Sequence, residues 1–281
     1  MKRKIRVLSI DGGGIRGIIP AKIMIKIEEL LQEYSKNPNT RISDYFDLIA
    51  GTSTGSILAG LYLCPDGFGS THSKYSAKEV LDLYLAHGGE MFERSWKTQL
   101  IDYFGLTSPL YKAEKLEKML ADYFGDLRSK EESYSLIDGG MFANNPALCA
   151  YVEACKFPFQ PSPDDIMILS LGTGSKGKTY PYESSKRWGK VRWVVPVIDI
   201  YGSAGSQTVD HQLKVLYRCQ HIRDQYFRIE PDLSQFDVSP LMDNVSTKNI
   251  KALEAVGEKM VEEHWDKIKA FTRKLYISQI G

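Results

Sequence analysis

Ser53 lies in Gly51-Thr52-Ser53-Thr54-Gly55, a G-x-S-x-G pattern. A strand-like run, Asp47-Leu48-Ile49-Ala50, precedes it, and the apolar run from Ser56 to Leu61 reads as a helix. A sharp strand-to-helix turn with small flanking residues presents a serine hydroxyl as a nucleophile. The helix N-terminus favours negative charge developing there. The same serine could instead simply cap the helix. A serine nucleophile needs a neighbour to take its proton. None of the five histidines, His72, His87, His211, His221 and His264, falls on a loop directly after a strand, where a triad histidine belongs. Asp138 is the better candidate. It closes the strand-like Ser135-Leu136-Ile137 and opens Asp138-Gly139-Gly140. Its flanking glycines permit close approach to another loop, and in a dry pocket its carboxyl would become a stronger base. An ordinary Asp-Gly turn is the other reading.

Two further glycine-rich turns follow strand-like runs. In Asp11-Gly12-Gly13-Gly14-Ile15-Arg16-Gly17, the glycines at 12, 14 and 17 match a dinucleotide fingerprint. That fingerprint also needs an acid at the end of the second strand. Glu33 has the right distance but falls inside a predicted helix, and Asp44 and Asp47 precede a strand. Consecutive glycines also let backbone N–H groups gather round an anion, either a phosphate or the oxyanion of an acyl-transfer intermediate. Gly172-Thr173-Gly174-Ser175-Lys176-Gly177-Lys178-Thr179 formally matches a P-loop. Tyr180-Pro181 follows at once, where a P-loop needs a helix. A flexible loop is the default there, with nucleotide binding through Lys178 and Thr179 as the alternative.

These turns must be held by a framework. Lys4 to Ile10, Asp47 to Ala50, Ser135 to Ile137, Ile166 to Leu171 and Tyr226 to Ile229 read as strands. Helices are expected over Ile18 to Tyr34, Ser53 to Leu63, Lys78 to Leu85, Lys112 to Phe124 and Pro146 to Lys156. Val191 to Tyr217 reads as helix interrupted around Gly202 to Gly205, and Ile250 to Tyr276 as a long charged helical region. Strands alternating with helices predict an α/β fold with a mostly parallel sheet covered on both faces. The chain reads as a single domain over 1–281, with a C-terminal helical region over 246–277.

Composition agrees with a globular protein. Lys and Arg number 36 against 35 Asp and Glu, for a net charge of +1, and 43% of residues are hydrophobic. This excludes collagen-like, coiled-coil and disordered classes and gives no electrostatic footprint for nucleic acid. No apolar run is long enough to span a membrane, and the N-terminus does not read as a signal peptide. The cysteines, Cys64, Cys149, Cys155 and Cys219, form no C-x-x-C pair. They read as small buried apolar residues in a reduced, cytoplasmic setting.

Together, the glycine cradle, the serine elbow and the late Asp-Gly-Gly resemble the patatin-like phospholipase family. The likeness continues through Met141-Phe142-Ala143-Asn144-Asn145-Pro146 and Leu169-Ser170-Leu171-Gly172-Thr173-Gly174. It implies a modified α/β-hydrolase-like sheet and a Ser–Asp dyad, with Ser53 as nucleophile and Asp138 as base. It further implies an oxyanion hole from the N–H groups of Gly12, Gly13 and Gly14, supported by Arg16 and Thr54. The reaction would be phospholipid ester cleavage at a membrane surface, with no metal or cofactor. Gly172-Thr173-Gly174 becomes a structural strand end on this likeness. Some bacterial relatives act in cyclic-nucleotide-triggered antiphage defence. That implies a cyclic-nucleotide activator, a homo-oligomer and peripheral membrane association.

The stretch between Ser53 and Asp138 is short for the family. Phe124-Gly125-Asp126-Leu127-Arg128 runs almost directly into Ser129 to Tyr134, which predicts a spatial break between about Arg128 and Ser133. Trp188, Trp193, Val194, Val195, Val197, Ile198 and Tyr201, with Lys186, Arg187, Lys190 and Arg192 alongside, suit either a membrane interface or a helix covering the sheet.

Overall fold

The computed structural model describes residues 4–92, 138–175, 177 and 180–280. The expected strand over 135–137, the helix over 112–124, the break near 128–133, and Lys178 and Thr179 lie outside the described residues.

Among the described residues, four parallel strands form the sheet: β1 (Ile5–Ile10), β2 (Leu48–Gly51), β3 (Ile166–Leu171) and β4 (Tyr226–Ile229), in the order β2-β1-β3-β4. Its α/β architecture follows from two fully buried strands, β1 and β3, whose mainly apolar residues leave no solvent face. Their register pairs Ile5 with Ile166, Val7 with Ile168, Leu8 with Leu169 and Ile10 with Leu171. Alternation then sends Ile5, Val7, Ile166 and Ile168 into one core, and Leu8, Ile10, Leu169 and Leu171 into the other.

The larger core is covered by α1 (Ile18–Ser35), α2 (Thr54–Leu63) and α3 (Ala77–Phe92). After α4 (Ala147–Cys155), the short α5 (Tyr182–Ser185) and α6 (Lys190–Cys219), the C-terminal α7 (Thr247–Glu263) and α8 (Trp265–Ile280) complete that layer. The opposite core is closed by α4 and by Leu213 and Tyr217 of α6. The expected C-terminal helical region is two helices, divided at His264 (φ −108°).

Two further expectations are corrected. Helix α6 runs unbroken through Gly202 and Gly205. Glycine costs a helix only about 1 kcal/mol. Here Ser206 docks on a buried carboxylate, Asp11, and the Ser206 carbonyl accepts from Asn145, holding the middle of the helix in place. Among the cysteines, Cys64 is buried, but Cys149 and Cys219 are exposed, each on a helical position turned away from the core. Among the described residues, no helix is long and apolar enough to cross a membrane.

Strand order reverses between β1 and β3, and the loops after these strands gather at the carboxyl edge of the sheet, the usual place for a site in an open α/β sheet. The glycine loop leaves β1 at that point, and the serine turn leaves β2 beside it.

Candidate active site

Ser53 occupies the turn between β2 and α2 with φ 52° and ψ −120°. A non-glycine residue held there is strained, as an elbow that exposes a nucleophile requires. The turn can be this tight because its flanking residues lack side chains. A Cβ on Gly51 would lie 2.2 Å from the Gly55 carbonyl oxygen, and one on Gly55 would lie 2.3 Å from that of Ile10. The elbow is thus pressed directly against the end of β1. Thr54 is buried at the first position of α2.

The Ser53 hydroxyl donates to Asp138 Oδ2 at 2.8 Å. The other carboxylate oxygen, Oδ1, accepts from the Gly140 N–H at 2.8 Å. This turn fixes the carboxylate while its second oxygen faces the serine. A hydrogen bond from Thr52 Oγ1 to the Ala143 carbonyl, 2.7 Å long, clamps the elbow to the segment that carries Asp138. Asp138 is exposed. Four of the five histidines lie elsewhere: His72 against Asp44, His264 against Phe227, and His211 and His221 at the surface.

The glycine loop lies against the elbow. A Cβ added to Gly12 would fall 3.3 Å from Ser53 Cβ. The Gly12 N–H is already engaged, donating to the Asn144 carbonyl at 3.1 Å. Among the described residues, no hydrogen bond takes up the N–H groups of Gly13, Gly14 or Thr54. Gly14 has φ +57°, a conformation that glycine adopts without steric cost. The buried Tyr84 donates to its carbonyl. Arg16 is buried and donates to the carbonyls of Gly174 at 3.4 Å and Pro240 at 2.8 Å. It therefore ties the loop to the strand end after β3.

The base of the loop rests on a network that the motifs did not announce. Asp11 is buried and makes a two-pronged ion pair with Arg228 of β4, at 2.6 Å and 3.2 Å. Arg228 also donates to Ser170 Oγ at 2.6 Å and to Glu230 at 2.5 Å. Ser206 of α6 donates to Asp11 Oδ2 at 3.1 Å. Burial pushes the Asp11 carboxyl above the ordinary carboxylate range, against the opposing pull of the Arg228 guanidinium. The available signal was a lone arginine inside the otherwise apolar Tyr226-Phe227-Arg228-Ile229.

The P-loop alternative meets different geometry. Beyond β3, the Gly172 N–H donates to Ile229, the Ser175 N–H to Pro231, and Thr173 Oγ1 to the Gly12 carbonyl. The segment extends the β4 pairing and buttresses the glycine loop, and the next helix opens only at Tyr182.

A family model described as "Patatin-like phospholipase" matches residues 8–134. Similarity to plant proteins extends over nearly the whole chain. Patatin-like protein 1 of Oryza sativa subsp. indica is 27% identical, covering 96% of this chain and 84% of its own length. Patatin-like protein 3 of Arabidopsis thaliana is 27% identical over 94% of this chain and 82% of its own. Patatin-2-Kuras 3 of Solanum tuberosum is 28% identical over 92% and 84%. Over residues 8–134 the chain is similar to the patatin-like phospholipase family. In this patatin-like chain, the serine elbow and the glycine loop both fall inside the matched span, and the Asp138 turn lies just beyond it. The alignment with the rice protein covers 352 residues, more than the 281 of this chain, so that relative carries stretches with no counterpart here.

Proposed function

We propose that this protein is a lipid acyl hydrolase of the phospholipase A type, a serine esterase working through a Ser53–Asp138 dyad. The observation that carries the proposal is the 2.8 Å hydrogen bond from the Ser53 hydroxyl, on a strained elbow, to a carboxylate held by its own turn. Similarity to the patatin-like phospholipase family supports lipid esters as the substrate class.

In this reading, Ser53 Oγ attacks the ester carbonyl carbon while its proton passes to Asp138 Oδ2. The C=O pair of electrons moves onto oxygen. That oxyanion is received by N–H groups of Gly13, Gly14 and Thr54, with Gly12 serving the loop's attachment to Asn144. Collapse of the intermediate breaks the bond to the alcohol, which leaves with the proton from Asp138. Water then gives a proton to Asp138, attacks the acyl-serine and releases the fatty acid, and Ser53 recovers its hydrogen. Arg16 and the Asp11–Arg228 pair keep the loop in place throughout. The cyclic-nucleotide activator, the bacterial defence role, cytoplasmic location and self-association stay as sequence expectations outside this proposal.

The test compares wild type, Ser53→Ala and Asp138→Asn on a soluble short-chain ester and on phospholipid dispersed in detergent. Both variants should lose at least a hundredfold in rate. Undiminished hydrolysis in both would refute the dyad. Lipid binding with no hydrolysis in wild type would make the protein a non-catalytic lipid-binding module.

A further inference from the structure

Helix α6 is 30 residues long, about 45 Å, and its two halves have different surroundings. Leu213 and Tyr217 are fully buried on the sheet. Several turns earlier, Val197, Ile200 and Tyr201 are 52%, 42% and 57% exposed. They share one helix face, by their i, i+3 and i+4 spacing. With Phe142, 82% exposed, they line an apolar groove of about 490 Å³ beside the Asp138 turn. The stripe thus has no sheet beneath it, and it borders the site.

The charge around this stripe is one-sided. From 186 to 201 the sequence carries Lys186, Arg187, Lys190 and Arg192 against Asp199 alone. Lys186 is paired with Glu183. Arg187 and Arg192 are exposed, and among the described residues neither is in an ion pair. The Arg192 guanidinium lies 4.8 Å from the Trp188 ring, which packs edge-on against Trp193. Exposed cations on the same stretch of chain as exposed Val197, Ile200 and Tyr201 match an anionic lipid surface. The apolar groups enter the acyl boundary while the cations meet the headgroups.

We propose that the exposed half of α6, together with Phe142, is the face on which the protein seats on an anionic membrane, with Arg187 and Arg192 meeting the headgroups. This rests on the lipid hydrolase reading, because the groove on this face is lined by Gly140 of the turn that opens at Asp138, so a seated molecule would receive lipid beside the Ser53–Asp138 pair.

The test uses the full chain carrying Ser53→Ala, so that binding is read without turnover. Co-sedimentation is measured with vesicles of phosphatidylcholine and of phosphatidylcholine mixed with phosphatidylglycerol. The mixed vesicles should bind more tightly, with the preference falling as salt rises. Ile200→Ser with Tyr201→Ser should weaken binding at least tenfold. Arg187→Gln with Arg192→Gln should remove the preference for anionic lipid, about fivefold per cation. Each variant should melt with the parent, and Phe142→Ser repeats the apolar test without altering the helix. Binding unchanged in these variants would overturn the proposal. So would a dimer in solution that the same substitutions dissociate, which would assign the face to a second copy. Vesicle binding by a wild-type chain without esterase activity would sink the hydrolase reading alone, and esterase activity without vesicle binding would sink this one alone.

Discussion

Replacing Arg228 with Met should destabilise the protein strongly and in a pH-dependent way. The guanidinium is buried and has two hydrogen bonds to Asp11, one to Ser170 and one to Glu230. Methionine fills similar volume but leaves the Asp11 carboxylate buried without its counter-ion. Removing one partner of a buried pair typically costs about 3–5 kcal/mol. For a chain of this size, that lowers the melting temperature by roughly 6–15 °C. Without Arg228, burial is opposed only by the Ser206 hydrogen bond and pushes the Asp11 carboxyl still higher, so the folded variant holds a proton that its unfolded chain has released. Stability that depends on such a proton is present at low pH and is lost as pH rises. The penalty should therefore be clearly smaller at pH 5 than at pH 8. Asp11→Asn combined with Arg228→Met, which removes the stranded charge, should recover much of the loss. Urea unfolding of the four proteins at both pH values gives the comparison. A penalty under about 1 kcal/mol at pH 8, or one equal at both pH values, would refute the reasoning.

Glu28 offers a second pH test. Its buried carboxyl accepts from the N–H groups of Ile42 and Ala77, and burial pushes it up to about 7. Relative to Glu28→Gln, wild-type stability should fall between about pH 4.5 and 7 by up to roughly 3 kcal/mol, then level off; parallel profiles by chemical denaturation would contradict this. Gly55→Ala places a methyl 2.3 Å from the Ile10 carbonyl and should cost about 1–3 kcal/mol together with esterase activity, whereas Gly67→Ala meets nothing within 4 Å and should be nearly silent. Equal melting temperatures for these two variants would contradict the tight elbow.

Elements with strong local signals were legible in the sequence. The expected span for β3 coincides with the observed strand, and α1 differs by one residue, because continuous apolar runs and 3.6-residue spacing are local signals. The glycine loop and serine elbow were legible for the same reason. Their patterns encode a tight turn, and the clashes around Gly51 and Gly55 show why no side chain fits. The pairing of Ser53 with Asp138 spans 85 positions, and only the combination of motifs pointed to it. What stayed hidden depends on distant partners. Nothing local in Arg228 or Ser206 names Asp11 as their shared contact. The carbonyl of Asn144 takes the Gly12 N–H that sequence assigned to an oxyanion. Gly202 and Gly205 suggested a helix break because the anchor provided by Ser206 cannot be read from the helix itself.

The central claim is that Ser53 is a nucleophile activated by Asp138. A fluorophosphonate probe, followed by peptide mass spectrometry, tests it most directly, because the probe forms a covalent bond with an activated serine. A single adduct on Ser53 is expected, absent in Ser53→Ala and formed at least a hundredfold more slowly in Asp138→Asn. No adduct on Ser53 in the wild-type protein, or labelling whose rate ignores Asp138→Asn, would contradict it.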